Sequence, residues 1–181
     1  MVMFAVNAND STDLYAVKCI ERRKIRSQRE MTMLQNESAI QAEIDSDYVV
    51  SLKHATQTPA NFYLAMEMCN GGDLLSYMMD RGGFLCEREA RMILKQIIKG
   101  LVVLKQKTVM HRDLKLPNIM LHFSALRPEV WTDPNHKMED FRKNFDFASD
   151  FKHLKCKIAD LGFARKCEED DLAQTGCGTL F

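Results

Sequence analysis

The chain has 181 residues, 25 basic and 25 acidic side chains, a formal net charge of zero and 46% hydrophobic residues. That length serves one sizeable core or two small lobes, and the composition is that of a globular protein rather than a disordered one. The neutral balance gives no overall field toward nucleic acid or an anionic membrane. The six cysteines are scattered, with no CxxC pair and no Cys/His grouping at zinc spacing, so they read as reduced thiols of an intracellular, cytoplasmic protein. The start, MVMFAVNAND, lacks the basic and apolar regions of a signal peptide. The longest apolar stretch, residues 97–104, is interrupted by Lys99 and Gly100 and falls far short of the ~20 residues of a membrane span.

Residues 2–6 and 14–20 are short β-prone runs separated by NANDSTD, a cluster of turn formers, which predicts a hairpin. Its second strand holds Lys18 among Val17, Cys19 and Ile20, and a charge in so apolar a run needs a partner. The helix predicted over residues 29–45 supplies one. Leu34, Glu37, Gln41 and Ile44 recur at intervals of three and four, which puts Glu37 on an apolar stripe. Glu43 is the competing acid, closer to the helix end. Residues 62–68, FYLAMEM, read as a strand that NGGD breaks sharply; alone, that tetrapeptide is only a turn. A short helix over residues 74–79 stops at Gly82 and Gly83. The longer helix after it carries Ala90, Ile93, Ile97, Leu101 and Leu104 on a core face, with Arg88, Arg91, Lys95 and Lys99 turned away.

Residues 109–121, VMHRDLKLPNIML, set five polar side chains between apolar flanks. Asp113 and Asn118 stand five apart with Pro117 between them, so the segment is a tight loop that can aim both side chains at one point. The bare tripeptide HRD is no more than a polar turn. With Leu114 and Asn118 in register, however, the string matches HRDLxxxN at every fixed position, and the chain resembles the protein kinase family. YAVK at 15–18 resembles the family's VAIK strand, and IADLGFAR at 158–165 resembles the DFG strand and turn, with leucine for phenylalanine.

The resemblance implies an α+β, two-lobed kinase fold: an N-lobe sheet with its helix over residues 1–69, a hinge, and a mainly helical C-lobe over residues 70–181. It implies ATP and Mg2+ as cofactors and protein substrates. Lys18, steadied by Glu37, orients the α- and β-phosphates; Asn118 and Asp160 hold magnesium; Asp113 accepts the proton of the attacking hydroxyl. Lys115 is the position where kinases of serine and threonine carry a lysine that steadies the γ-phosphate. Met66 is the gatekeeper beside the adenine, the backbone of Glu67 and Cys69 pairs with the adenine edge, Asp73 accepts from a ribose hydroxyl, and Ala16 and Met120 complete the cofactor-binding positions. Leu161 keeps the bulk of the replaced phenylalanine, and Gly162 allows the turn. Thr175 falls at a site of activating phosphorylation with Arg112 as the phosphate's partner, and Thr179 sits in the substrate-facing loop, followed by Leu180 where the family usually has proline.

Two departures stand out. The family joins the strands between Asn118 and Asp160 by a hairpin loop, ordinarily about 2–5 residues; here residues 123–154 intervene, with Trp131, Pro134 and the run FRKNFDFASDFKHL. Phe141, Phe145, Phe147 and Phe151 could form one face of a helix that docks a regulatory partner, or the segment could be a surface excursion or retained non-coding sequence. The glycine loop over the phosphates and the APE segment are also missing, so the expectation is a fragment or incomplete gene model. Its Ile93, Ile97 and Leu101 should then lack apolar surface to pack on, leaving the polypeptide unstable and essentially inactive. MCNGGDLLSYM, KIADLGFAR and CGT resemble the autophagy-initiating Ser/Thr kinases. The competing reading is a non-catalytic kinase-like module that binds partners or nucleotide; a zinc or nucleic-acid protein is excluded by the absence of ligand spacing and basic surface.

Overall fold

The computed structural model describes residues 1–127, 137–146 and 150–166. Trp131, Pro134, Phe147, Thr175, Thr179 and Leu180 lie outside the described residues. The first half is an antiparallel sheet of β1 (Val2–Asn7), β2 (Asp10–Glu21), β3 (Leu52–Gln57) and β4 (Asn61–Glu67) in the order β1-β2-β4-β3, with helix α1 (Gln28–Ala42) between β2 and β3. The hairpin turn is tighter than the sequence suggests. Only Ala8 and Asn9 separate the strands, because Asn7 donates to Asp13 at 3.0 Å and the Asp10 carboxylate binds Thr12 within the strand. β3 has no counterpart among the expected elements: it is an edge strand, LKHATQ, exposed over all but its first residue, so it carries no alternating apolar signal.

The second half holds α2 (Leu74–Asp80), α3 (Glu87–Gln106), β5 (Val109–Met110), β6 (Ile119–Phe123), α4 (Met138–Asn144), β7 (Leu154–Ile158) and β8 (Arg165–Lys166). β5 pairs with β8 and β6 with β7, in register from Ile119↔Ile158 to Phe123↔Leu154. One buried cluster reaches from Ile40 and Ile44 of the helix side through Val49 to Tyr77, Ile93, Leu121, Phe123 and Ile158. A parallel bridge, Val49↔Ile158, stitches the first half to β7.

α3 lies against β7 because Gly100 lacks a side chain: a Cβ there would stand 2.7 Å from the Tyr48 carbonyl oxygen and 2.8 Å from Ile158 Cδ1. The buried stripe of α3 is Glu89, Ile93, Gly100 and Leu104. Two expectations are corrected here. Ala90 is exposed, since the first turn buries Glu89 instead, which pairs with Arg81 at 2.6 Å and completes a capping box on Cys86. Ile93 does not want for packing surface; it is 2% exposed, and Ile97 and Leu101 pack against the same cluster. The apolar side chains of α3 left half-exposed are Leu94, Ile98 and Val102, one position round the helix.

The insertion also differs from expectation. Among the described residues, Phe141, Phe145 and Phe151 do not share a free helical face. α4 ends at Asn144, and Phe141 and Phe145 meet Phe123 edge-on at 4.9 and 4.8 Å between ring centroids. Phe151, in a short 3-10 turn, packs on the same core. Arg142 ties the segment down by pairing with Asp80 at 2.6 Å and donating to the Gly71 carbonyl at 3.1 Å. Among the described residues no helix is long and apolar enough to cross a membrane.

Candidate active site

The turn of the catalytic-type loop is set by backbone geometry. Arg112 and Asp160 both adopt left-handed φ, 66° and 61°, a conformation that side-chain-bearing residues hold only when their surroundings fix it. His111 supplies part of that fixing. Its Nδ1 accepts from the Asp113 amide at 3.2 Å, which leaves Nε2–H to donate to the Ala159 carbonyl at 3.0 Å. The Ala159 amide in turn donates to the Asn118 carbonyl at 2.8 Å. The two segments that sequence analysis singled out are therefore bonded to each other, residue by residue.

Asn118 is buried, with Nδ2 donating to the Asp113 carbonyl oxygen at 2.9 Å and to Asp113 Oδ2 at 3.1 Å. Its Oδ1 is then the acceptor left for a cation. Lys115 Nζ stands 2.9 Å from Asp113 Oδ2, so Asp113 is held between an amide and an ammonium group. Lys18, from β2, meets Glu37 Oε1 of α1 at 2.6 Å and Asp160 Oδ1 at 3.4 Å. Burial pulls the Lys18 ammonium down, but the charges of Glu37 and Asp160 and the hydrogen bonds to them outweigh it, and its pKa stands above the ordinary lysine value. Glu43, the competing acid, pairs instead with Lys166 at 2.6 Å.

Gly162 acts by proximity and not by backbone freedom: its φ is not in the left-handed region. A Cβ there would lie 3.2 Å from Asp160 Oδ1 and 3.5 Å from Glu37 Oε2, crowding the groups that meet Lys18. Leu161 is 1% exposed and part of the main cluster. The bulk it keeps in place of phenylalanine is buried apolar bulk.

These groups open onto a cleft of ≈ 240 Å³. Its apolar lining includes Val2, Ala16, Val50, Met66 and Met120, and its polar lining Lys18, Glu37, Glu67, Asn118 and Asp160. Cys69 also lines it, buried, with burial pushing its thiol up to about 12. Asp113, Lys115 and Asp73 are not among the lining residues. Asp73 caps α2, its carboxylate accepting from the Ser76 amide at 2.9 Å and hydroxyl at 2.8 Å. Asp160 and Asn118 together offer hard oxygen donors of the kind magnesium takes, and the Asp160 side chain is 46% exposed toward solvent; the residues present fit that ion.

Sequence reasoning missed one pair. Lys157 is buried and spans the carboxylate of Glu67, 2.9 Å from each oxygen, while Glu67 Oε1 also accepts from the Ser51 amide at 2.8 Å. The brace joins β7, just before Asp160, to the end of β4. The signal was present as a lysine inside LKCKI, a run buried at four of its five positions.

An antiparallel sheet with one helix, a linker running past a cleft, a loop bearing Asp113 and Asn118, and a lysine–glutamate pair beside Asp160 define a protein kinase domain. A model of the protein kinase domain matches residues 2–181, and the chain belongs to that family. It is 29% identical to serine/threonine-protein kinase 33 of Bos taurus over 181 residues, covering 99% of this chain and 32% of that protein. It is 33% identical to serine/threonine-protein kinase ULK1 of Homo sapiens over 179 residues, 98% of this chain and 15% of that protein. It is 27% identical to calcium/calmodulin-dependent protein kinase type 1B of Rattus norvegicus over 169 residues, 93% and 40% respectively. The chain thus spans 40% or less of the length of these relatives.

Proposed function

We propose that this chain is the catalytic part of a protein serine/threonine kinase, transferring the γ-phosphoryl group of ATP to hydroxyls of protein substrates. The observation that carries this is the convergence of the Lys18–Glu37 pair, Asp160 and Asn118 on one cleft, with Asp113 hydrogen-bonded to Asn118 beside it. Ala16, Met66 and Met120 give the adenine apolar surface, and the backbone of Glu67 and Cys69 runs along the same cleft. Lys18, charged at any physiological pH, attracts phosphate oxygens. Magnesium, when held by Asp160 and Asn118, screens the negative charge of the phosphates. Asp113 takes the proton of the incoming hydroxyl, and Lys115, already beside it, adds positive charge where the transferred group arrives. Asp73, though its carboxylate caps α2, retains lone pairs for a ribose hydroxyl.

The test is kinetic. Asp113→Asn should lower kcat by about 10²–10⁴ with the KM for ATP little changed, measured on serine and tyrosine versions of one peptide, the serine version being preferred. Turnover unaltered by that substitution removes Asp113 from the role. Nucleotide binding without transfer to any peptide would favour the non-catalytic module.

A further inference from the structure

A second recess, of ≈ 520 Å³, lies between the middle of α3, the segment at Asp47 and Tyr48, and the start of β7. Its floor is apolar, made by Met92, Ile98, Phe151 and Leu154. Leu154 is buried, whereas Ile98 is 49% exposed, an apolar surface with no covering side chain over half its area. Its rim carries Lys95, Lys99, Lys152 and Lys155 against the single carboxylate of Asp47.

The charges are unevenly satisfied. Lys155 Nζ meets Asp47 Oδ1 at 2.7 Å. Lys99 donates to the Tyr48 hydroxyl at 3.1 Å and sits 5.1 Å from that ring's centroid, which fixes the ammonium in place without neutralising it. Lys95 and Lys152 meet no carboxylate among the described residues. Three positive charges are therefore unbalanced around an apolar floor, in a chain whose overall charge is zero. Phe151, Lys152 and Leu154 come from the end of the insertion, so one wall of the recess belongs to the segment that departs from the family pattern.

We propose that this recess docks a short acidic peptide segment of a partner protein, with an apolar side chain seated on Ile98 and Phe151 and carboxylates meeting Lys95, Lys99 and Lys152. The charge of the rim selects the sign of the partner and speeds encounter, and the apolar floor supplies an anchor for one desolvated side chain. The concave shape suits a peptide better than a flat bilayer surface. Of the two rings in the recess, that of Tyr48 is already covered by Lys99 and that of Phe151 is packed on the main apolar cluster, so the row of open rings on which single-stranded nucleic acid stacks is missing. Docking here is independent of the chemistry at Asp113.

The probe is a fluorescein-labelled peptide, Glu-Glu-Asp-Leu-Glu-Glu-Phe-Glu-Asp-Leu, titrated with the full chain and followed by fluorescence anisotropy at low and moderate salt. Saturable micromolar binding is expected, weakening with salt. It should fall at least about tenfold in Lys95→Glu/Lys152→Glu, in Ile98→Asp, and when serine replaces leucine and phenylalanine in the peptide. Lys53→Glu, an exposed lysine outside the recess, should leave it unchanged. All these side chains are exposed, so circular dichroism spectra of the variants should superimpose on the parent's. No saturable binding, or binding equal in parent and both recess variants, overturns the proposal. So does lysine-dependent binding of phosphatidylserine vesicles or oligothymidine in place of the peptide.

Discussion

His122 lies on β6 near both ends of the Lys157–Glu67 brace. Burial is the main cause that holds its pKa below the ordinary histidine value, with the charge of Lys157 adding to it and that of Glu67 opposing. A histidine kept neutral in the fold is protonated in the unfolded chain below about pH 6.5, so the unfolded state binds the extra proton and stability falls as pH drops through that window. Thermal melting should therefore shift down between pH 7.5 and 5.5, where carboxylates remain ionised, and His122→Gln should flatten that dependence. An identical slope in the variant would assign the effect elsewhere. Tyr77 presents a different cost: its ring is fully buried and its hydroxyl is without a partner among the described residues. Removing an unsatisfied buried hydroxyl relieves a desolvation penalty. Tyr77→Phe should leave stability equal or raise it by about 1 kcal/mol in a urea titration.

The described part of the insertion around α4 is held by ordinary core forces. Phe141 and Phe145 add two rings to Phe123, and Arg142 reaches both Asp80 of α2 and the backbone at Gly71, beside the linker between the halves. Phe141→Ala should cost about 1.5–3 kcal/mol, lowering Tm by about 2–4 °C per kcal/mol for a chain of this size. A segment that merely looped over the surface would show no change. α3 is constrained in the opposite sense, by the need for space. Gly100→Ala sets a Cβ against the Tyr48 carbonyl and Ile158, so α3 must move off β7. Overpacking of this kind costs about 1–3 kcal/mol.

The two halves of the molecule meet at the cleft. Val2, Ala16 and Lys18 come from the sheet side, and Asn118, Met120 and Asp160 from the other. A ligand that contacts both sides binds the folded chain and not the unfolded one, so it stabilises by mass action: about 2.7 kcal/mol at a hundredfold excess over its Kd. Magnesium with ATP should raise Tm by several degrees, and Lys18→Met should abolish most of that shift while removing the Glu37 partner. A shift of the same size in Lys18→Met would separate nucleotide binding from this cleft.

Local chemistry is legible in a linear string. Pro117 and the spacing of Asp113 and Asn118 confine both to one loop, because such constraints act over a few residues. The edge strand β3 carries no apolar alternation to read, and a lysine inside LKCKI signals that a partner is needed without naming the carboxylate 90 residues away. Distance along the chain decided the rest. Lys18 and Asp160 are separated by 142 positions and Arg142 and Gly71 by 71, and no pattern of propensities brings such groups within bonding range. The order of residue types dictates which side chains offer a cation for phosphate, oxygen donors for a metal and a carboxylate for a proton. Only the packing of Gly100 against β7, of Phe123 against α4 and of Val49 beside Ile158 decided where those residues stand, since excluded volume and burial are properties of the assembled core.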